Sequence, residues 1–357
     1  MVFDSVNIRR GTSVQNVIQT RGLWGADTPE LLTFFTSSTQ TAISKTAHYE
    51  VWGSASLSCE DVKMFSVAYG HISGSGSTSD SADLTDTVTK AIYDQYRLVC
   101  LDGETSFTLE DDSKMDHFYV VNINRSKYGD KIDPGNFELN IAGLSGSAFQ
   151  NQYHTGSNVV VSGSNPKIIT LIDDSADTFE TIEYTSRTSV PRNLVSGSLT
   201  NGIYNPTAPH YYGKVYPSIG AILISAEKLD MSGSFNTFTG SNANGNNGLN
   251  LFTAISGAAS VSNLGFTARG VDVKNKSYYF IHIPNDRFNY SNNPTWVDDT
   301  LALRPFLYKS WEIEPVTYIT TVGLYDNNKE LLAVAKMNRP IKKSFNDELS
   351  LTVTLEY

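Results

Sequence analysis

The last nine residues of the sequence, LSLTVTLEY from Leu349 to Tyr357, alternate strictly between apolar and polar side chains. Because neighbouring side chains of a β-strand point to opposite faces, this pattern predicts a strand with one buried and one exposed face. Such a strand needs a second layer to cover its apolar face. The pattern therefore indicates a protein built from packed sheets.

A β-hairpin is predicted directly before this strand. Tyr318 to Tyr325 is rich in β-branched and aromatic residues, and Leu331 to Ala335 forms a second apolar run. Asp326-Asn327-Asn328-Lys329 between them is typical of a turn, since Asp and Asn tolerate left-handed backbone. Further strands are predicted at residues 64–72, 118–123, 137–144, 158–161, 167–172, 181–185, 221–225 and 278–283. Aromatic residues on both sides of the last strand favour burial of both its faces.

Helical periodicity is restricted to two segments. In residues 86–98 the apolar positions recur at helical spacing, with Thr85 as a candidate N-cap. Residues 249–258 repeat the pattern more weakly, and their composition also fits a strand followed by a loop. Between these segments, residues 231–250 are rich in Ser, Gly and Asn and predict a long surface loop.

The expected fold class is mainly β, with sheet-on-sheet, sandwich-like domains and one or two short helices. A chain of 357 residues favours two units or one large β-rich unit. Gly- and Ser-rich strings suggest that residues 1–144 together with 271–357 form a β-rich assembly domain. Residues 145–270 would then be an inserted β-domain that carries the 231–250 loop.

Composition and charge argue against several functional classes. The net charge is −10 and no basic face is evident, so binding to nucleic acid is not expected. The densest basic stretch, Lys336 to Lys343, is interpreted as a strand edge or a partner contact. No apolar run reaches about 18 residues and the N-terminal residues lack a signal-peptide core, so we expect neither a membrane span nor secretion.

Catalytic, cofactor-binding and metal-binding residues are not predicted. The histidines lie far apart in sequence, and the phosphate-loop, dinucleotide-binding and nucleophile-elbow motifs are missing. The acidic groups Glu110-Asp111-Asp112 and Asp173-Asp174 with Asp177 are interpreted as turns rather than calcium sites. Cys100 ends an apolar run and predicts a buried free thiol, although a bridge to Cys59 remains open.

Aromatic residues are the more informative feature, at 11% of the sequence. Tyr211 and Tyr212 lie in a Pro-rich stretch, and Phe235 and Phe238 interrupt the predicted loop. Tyrosine is enriched at protein interfaces because it is amphipathic and loses little side-chain entropy. We therefore expect these four residues to form contacts with partner proteins or to pack in the core, with stacking on sugars as the alternative for the tyrosines.

Several strings along the chain resemble a family of virion structural proteins from contractile-tailed myophages of cyanobacteria and other marine bacteria. The strings are Ala68-Tyr69-Gly70-His71 with Gly74-Ser75-Gly76, Thr89-Lys90-Ala91-Ile92-Tyr93 with Gln95-Tyr96, Val121-Asn122-Ile123-Asn124-Arg125, Lys131-Ile132-Asp133-Pro134-Gly135-Asn136, Val195-Ser196-Gly197-Ser198-Leu199, Tyr216-Pro217 with Gly220, and Tyr318 to Tyr325 continuing through Glu330 to Lys336. The string Asn338-Arg339-Pro340-Ile341 before a final strand is similar to the end of a myophage baseplate wedge protein.

This resemblance implies a non-enzymatic tail or baseplate subunit present in several symmetric copies. Its expected partners are copies of itself and neighbouring virion proteins, with assembly in the host cytoplasm. Two alternatives remain within the virion, namely a neck or capsid-associated structural protein and a receptor-binding adhesin that contacts glycans on the host surface. A hydrolase with paired carboxylates is a further alternative.

Overall fold

A computed structural model describes residues 13–24, 28–36, 48–53, 63–76, 87–101, 103, 105–143, 168–176, 190–233, 235, 237, 247–291, 293–297 and 310–357. Among these residues, strands account for 49% and helices for 18%, which confirms the mainly β class. The same residues include five short helices, where one or two were expected. Contacts within the chain divide it into a larger unit, Ile18–Val273, and a smaller unit, Met1–Val17 with Lys274–Tyr357.

The elements are named in chain order. The strands are β1 Ser13–Gly22, β2 Glu30–Leu31, β3 Phe35–Thr36, β4 His48–Trp52, β5 Lys63–His71, β6 Phe107–Thr108, β7 Lys114–Met115, β8 His117–Ile123, β9 Lys131–Ile132, β10 Glu138–Ala142, β11 Ile168–Asp173, β12 Arg192–Ser198, β13 Gly202–Ile203, β14 Tyr211–Tyr216, β15 Ala221–Ser225, β16 Phe266–Thr267, β17 Arg269–Ile283, β18 Thr317–Tyr325, β19 Leu331–Lys343 and β20 Leu349–Glu356. The helices are α1 Val88–Cys100, α2 Arg125–Tyr128, α3 Ala226–Gly233, α4 Asn247–Ser262 and α5 Ser310–Ile313.

A twelve-stranded antiparallel sheet forms the body of the larger unit. Its order is β2–β16–β10–β11–β12–β14–β15–β8–β5–β4–β3, with β13 paired to β12. The two end strands, β2 and β3, are joined in sequence by residues 32–34, so the sheet curls round on itself. Accordingly, the rings of Phe65 on β5 and Phe266 on β16 lie 5.4 Å apart although six strands separate them in the sheet.

The central strands of this sheet bury both of their faces. On β8, Tyr119 and Val121 belong to an inner cluster that also includes Leu251 of α4. Phe118 and Val120 belong to an outer cluster beneath α1. Burial on both sides explains why β8 and β15 are almost continuously apolar rather than alternating.

Both predicted helices are confirmed, with shifted ends. The first begins after Thr87, and Thr85 lies outside the described residues. It packs closely on β5 at Gly70, where a side-chain Cβ would lie 3.1 Å from the backbone nitrogen of Tyr93. The second, α4, is longer than predicted, and α3 was not predicted. These two helices occupy both ends of the segment 231–250 that we expected to be a surface loop.

The smaller unit buries much less of its apolar surface. Residues 276–283 of β17 pair antiparallel with β20, and β18 pairs with β19. The alternation of β20 is confirmed, but its apolar face is only half-buried. The expected burial of both faces at 278–283 is wrong, because Phe280 is 49% exposed.

The division into units differs from the expected insertion of residues 145–270. Strands from both sides of that boundary, such as β10 and β11, are neighbours in the same large sheet. A domain boundary between hydrogen-bonded neighbouring strands would break the sheet, so it falls instead within β17, between Val273 and Lys274. The strands expected at 158–161 and 181–185 lie outside the described residues.

Candidate functional site

The predicted hairpin forms a long two-stranded arm, residues 317–343, comprising β18, the turn and β19. Its turn is closed by the Asp326 amide donating to the Glu330 carbonyl, 3.0 Å, and Lys329 adopts a left-handed φ of 66°. Only Thr317, Leu324 and Lys343 are buried within the arm. An isolated two-stranded hairpin is marginally stable in water, so such a long arm is expected to gain stability from a further layer.

The half of the arm next to the turn exposes a row of large apolar side chains. Leu332 is 68% exposed and Val334 is 58% exposed. The exposed members are Tyr325, Leu331, Leu332 and Val334. The pairing places Tyr325 opposite Leu331 and Gly323 opposite Val334, so these residues adjoin one another across the two strands. Contiguous exposed apolar surface is typical of a protein-binding surface.

The other half of the arm is basic. Lys336, Arg339 and Lys342 are exposed on β19, and none of them makes an ion pair with any residue that the structure describes. The arm carries five Lys and Arg against two Asp and Glu, a net charge of +3. The larger unit carries 15 Lys and Arg against 26 Asp and Glu, a net charge of −11. The arm is therefore a basic element in an acidic protein.

The base of the arm is fixed by a buried lysine. The Lys343 ammonium donates to the carbonyl of Asn285 at 3.0 Å, to Oδ1 of Asn289 at 2.9 Å and to the carbonyl of Ser344 at 2.8 Å. On the paired strand, Thr317 Oγ1 donates to the carbonyl of Phe288. Both strands are thus anchored to the 285–289 loop, while most of the arm beyond them is exposed or half-buried.

An aromatic cluster lies in the same unit. The rings of Trp296 and Trp311 stack with centroids 5.4 Å apart and an interplanar angle of 15°. Tyr290 contacts both Trp296 and Phe345 edge-on, at 5.8 and 5.9 Å. Trp296 Nε1 also donates to the Val316 carbonyl at 2.8 Å, beside the start of β18. Tyr290 is 61% exposed, so the cluster presents an aromatic surface to solvent.

The structure describes three of the four aromatic residues that were candidates for partner contacts or core packing. Tyr212 is buried in the inner cluster and donates a hydrogen bond from its hydroxyl to Ser232 Oγ at 2.8 Å. Phe235 is buried beside Tyr119, with ring centroids 5.8 Å apart. Both are core residues, which matches the core-packing alternative rather than a partner contact. Tyr211 is half-buried against the outer cluster, and Phe238 lies outside the described residues.

Two histidines that are distant in sequence meet on the large sheet. His71 and His117 are directly paired across β5 and β8, with ring centroids 5.3 Å apart. Tyr69 Oη lies 2.9 Å from Nδ1 of His117, and the Ser73 amide donates to Nδ1 of His71. Burial lowers the pKa of both imidazoles. The sequence missed this pair because only the strand register brings the two residues together.

The acidic groups behave as structural elements. Asp173 accepts hydrogen bonds from the Gly135 amide and from Ser175, and Asp174 accepts from the backbone and side chain of Asn193. Burial raises the pKa of both carboxyls. No group of three or more potential metal ligands occurs among the described residues, and Asp177 lies outside them. Cys100 is a free thiol whose pKa burial raises to about 12.

The chain was compared with protein-family models, curated proteins and solved structures, and no match was found in any of the three. Within the described part of the chain, no helix combines the length and the apolar character needed to cross a bilayer. The functional argument therefore rests on the surfaces of the protein itself, and the exposed arm is the most distinctive of them.

Proposed function

We propose that this chain is a structural subunit of a tailed-phage virion, in the tail or baseplate, that assembles in several symmetric copies. The observation that carries the assembly role is the arm, which exposes apolar side chains on a two-stranded sheet of a length that needs a further layer for stability. Its place in a phage particle is supported by the strings that resemble the myophage virion family.

A fixed base and an exposed far end suit the arm for assembly. Because Lys343 and Thr317 anchor both strands, the arm is presented in a defined direction before any partner binds. Pre-organisation of this kind lowers the entropic cost of association. A modest contact made by each arm is then repeated around a symmetric assembly, and the repeated contacts stabilise the whole.

The test is cryo-electron microscopy of purified phage particles whose genome encodes this chain, combined with mass spectrometry of their proteins. We expect density for the chain at the tail or baseplate in a fixed number of copies, with the arm covered by a neighbouring subunit. Density at the neck or capsid would replace the tail assignment with one of the other virion positions. Absence of the chain from the particles would refute the proposal.

Glycan binding is a second candidate, supported by the aromatic cluster around Tyr290. Flat aromatic rings stack on the apolar faces of sugars, and Tyr290 and Phe345 are exposed. A glycan array with the purified chain tests this function. Binding that is lost in Tyr290→Ala and kept in Tyr204→Ala, a change in the other unit, would support an adhesin. No binding to any host glycan would refute it.

A further inference from the structure

The chemistry of the arm indicates what kind of surface it binds, given the assembly role proposed above. The exposed surface of the arm combines an apolar half with a basic half of unpaired charge. Its binding surface must therefore offer exposed apolar side chains beside acidic ones. Complementary potentials of this kind guide association and fix the register of two surfaces.

This combination exists in the larger unit of the same chain, at residues 94–116. The segment carries two Lys and Arg against seven Asp and Glu, a net charge of −5. At the end of α1, Leu98 is 73% exposed and Val99 is 57% exposed. The segment continues through the β6–β7 hairpin, where Glu110 and Asp112 are exposed, and Asp116 follows β7. We call residues 94–116 the acidic segment.

The described parts of the acidic segment, the end of α1 and the β6–β7 hairpin, lie next to each other because both pack on one cluster. Tyr93 of α1 packs against Phe107 of the hairpin, with ring centroids 5.7 Å apart, and its hydroxyl donates to the Met115 carbonyl at 3.4 Å. Two acidic side chains are already neutralised, since Asp94 pairs with Arg97 and Asp111 with Lys228. Glu110, Asp112 and Asp116 make no ion pair within the described ranges.

We propose that the arm of one copy binds the acidic segment of a second copy, in a head-to-tail contact that repeats from subunit to subunit. The Leu332 and Val334 side of the arm covers Leu98 and Val99, and Lys336, Arg339 and Lys342 face Glu110, Asp112 and Asp116. A contact between two different surfaces of one chain closes into a ring or extends into a helical assembly. Contact of arm with arm is disfavoured, because it would bring together two elements of net charge +3.

A charge-exchange experiment tests this contact with the full chain. In the arm variant, Lys336→Glu, Arg339→Glu and Lys342→Glu reverse the basic half. In the segment variant, Glu110→Lys and Asp116→Lys reverse the acidic surface, and Asp112→Asn removes its third charge. Asparagine is chosen there because Asp112 has a φ of 60°, which Asn tolerates. A charge-preserving variant, Lys336→Arg with Arg339→Lys and Lys342→Arg, is the matched control.

Sedimentation velocity at low and high ionic strength gives the readout. We expect the native chain and the control to associate with rising protein concentration, and salt to weaken this association. Each reversed variant alone should bind itself at least about tenfold more weakly. An equimolar mixture of the two variants should associate again, because each then offers a complementary partner for the other. Unfolding curves matching those of the native chain confirm that the variants are folded.

Two results would overturn the head-to-tail contact. One is a native chain that stays monomeric at about 100 μM. The other is a mixture that associates no better than its components. Either outcome is independent of where the chain lies in a particle, so failure of the docking proposal and failure of the virion role are distinguishable.

Discussion

The Nζ atom of Lys343 lies 2.9 Å from Oδ1 of Asn289, and both residues are buried. Burial lowers the pKa of this lysine, while Asp347, Asp286 and Glu348 act in the opposite direction. Three acceptors surround its ammonium group, so the lysine links the start of the 285–289 loop, Asn289 and the end of the arm. The arm thus depends on polar side chains at its base, Lys343 and Thr317, rather than on an apolar core.

Replacement of Lys343 by methionine should therefore loosen the base of the arm. The change removes the donor from two buried acceptors and from the partly buried Asn285 carbonyl, at an expected cost of about 2–3 kcal/mol in the free energy of unfolding. Chemical denaturation followed by tryptophan fluorescence measures it, since Trp296 and Trp311 lie in the same unit. The neighbouring exposed change Lys342→Met is the control, with an expected effect within about 0.5 kcal/mol. Equal stability of the two variants would contradict the anchoring role.

Two glycine substitutions should change stability in opposite directions. A Cβ at Gly70 would lie 3.1 Å from the Tyr93 nitrogen and 3.2 Å from the Phe118 ring, so Gly70→Ala should push α1 off the sheet. We expect the free energy of unfolding of this variant to be lower by about 1–3 kcal/mol. A Cβ at Gly257 in α4 would meet only Ala142 at 3.5 Å, so Gly257→Ala should stabilise by up to about 1 kcal/mol through helix propensity. Thermal unfolding of both variants checks the contrast, and a stabilised Gly70→Ala protein would contradict the close packing.

The pair His71 and His117 should make the larger unit sensitive to mild acid. Burial lowers the pKa of both imidazoles; for His71 the neighbouring His117 adds to this effect, while Asp230, Glu227 and Asp116 oppose it at His117. Below the ordinary pKa of 6.5 the unfolded chain therefore binds more protons than the folded one. The pair makes its full contribution to the free energy of unfolding above pH 6.5. This contribution falls as the pH drops below 6.5 through the folded-state pKa values of the two imidazoles.

Unfolding at pH 7.5 and 5.5 measures this effect. Between pH 7.5 and 5.5 we expect the free energy of unfolding of the native chain to fall by on the order of 1 kcal/mol because of this pair. His117→Gln keeps a side chain able to bond Tyr69 but removes one titrating group, so the difference between the two pH values should shrink. His282→Gln, a change at an exposed histidine of β17, should leave the difference in stability between the two pH values unaltered. An unchanged difference in His117→Gln would contradict the assignment.

Asp173 should have the opposite pH dependence. Burial raises the pKa of its carboxyl, while hydrogen bonds from Ser175 and Gly135 oppose the shift. Its contribution to stability is therefore complete below the ordinary value of 3.8 and is lost as the pH rises through the folded-state pKa. Asp173→Asn holds a neutral side chain at every pH. We expect this variant to exceed the native chain in stability at pH 7.5 by on the order of 1 kcal/mol, and to equal it near pH 4.

Chemical denaturation across that pH range provides the measurement, with Asp112→Asn on the exposed turn as the control. A variant that is much less stable than the native chain at pH 7.5 would show that the ionised carboxylate is the form the fold requires. The same titration in the presence of EDTA checks the expectation that no bound calcium stabilises this turn.

Strand positions were predictable from sequence because alternation and β-branched runs reflect local geometry. The register between distant strands was not, and His71 with His117 shows the reason, since neither residue carries a local signal of the other. For Tyr212 the sequence left partner contact and core packing both open, because a buried tyrosine with a bonded hydroxyl and an exposed one have the same sequence signature. The basic stretch on β19 was recognised as a partner contact candidate, but its acidic complement lies more than 200 residues away.

The division into units differs from the sequence prediction for a related reason. Gly- and Ser-rich strings mark loops, and we took those near Leu144 and Val271 as linkers between domains. Val271 instead lies within β17, a single fifteen-residue strand whose two ends belong to different units. A strand that is continuous in sequence gives no local signal of the point at which its neighbours change.

The closure of the large sheet delays the pairing of one of its first strands while the protein is being synthesised. Residues Glu30 and Leu31 pair with Thr267 and Phe266, so the first strand of the sheet waits for one of the last. At about 5–20 residues per second, the ribosome needs roughly 12 to 47 seconds to make the intervening chain. During that time β2 and the free edge of β10 both remain without β16, the strand that lies between them in the finished sheet. Yield in a heterologous host should therefore depend on translation speed and chaperone capacity more than on the stability of the finished subunit.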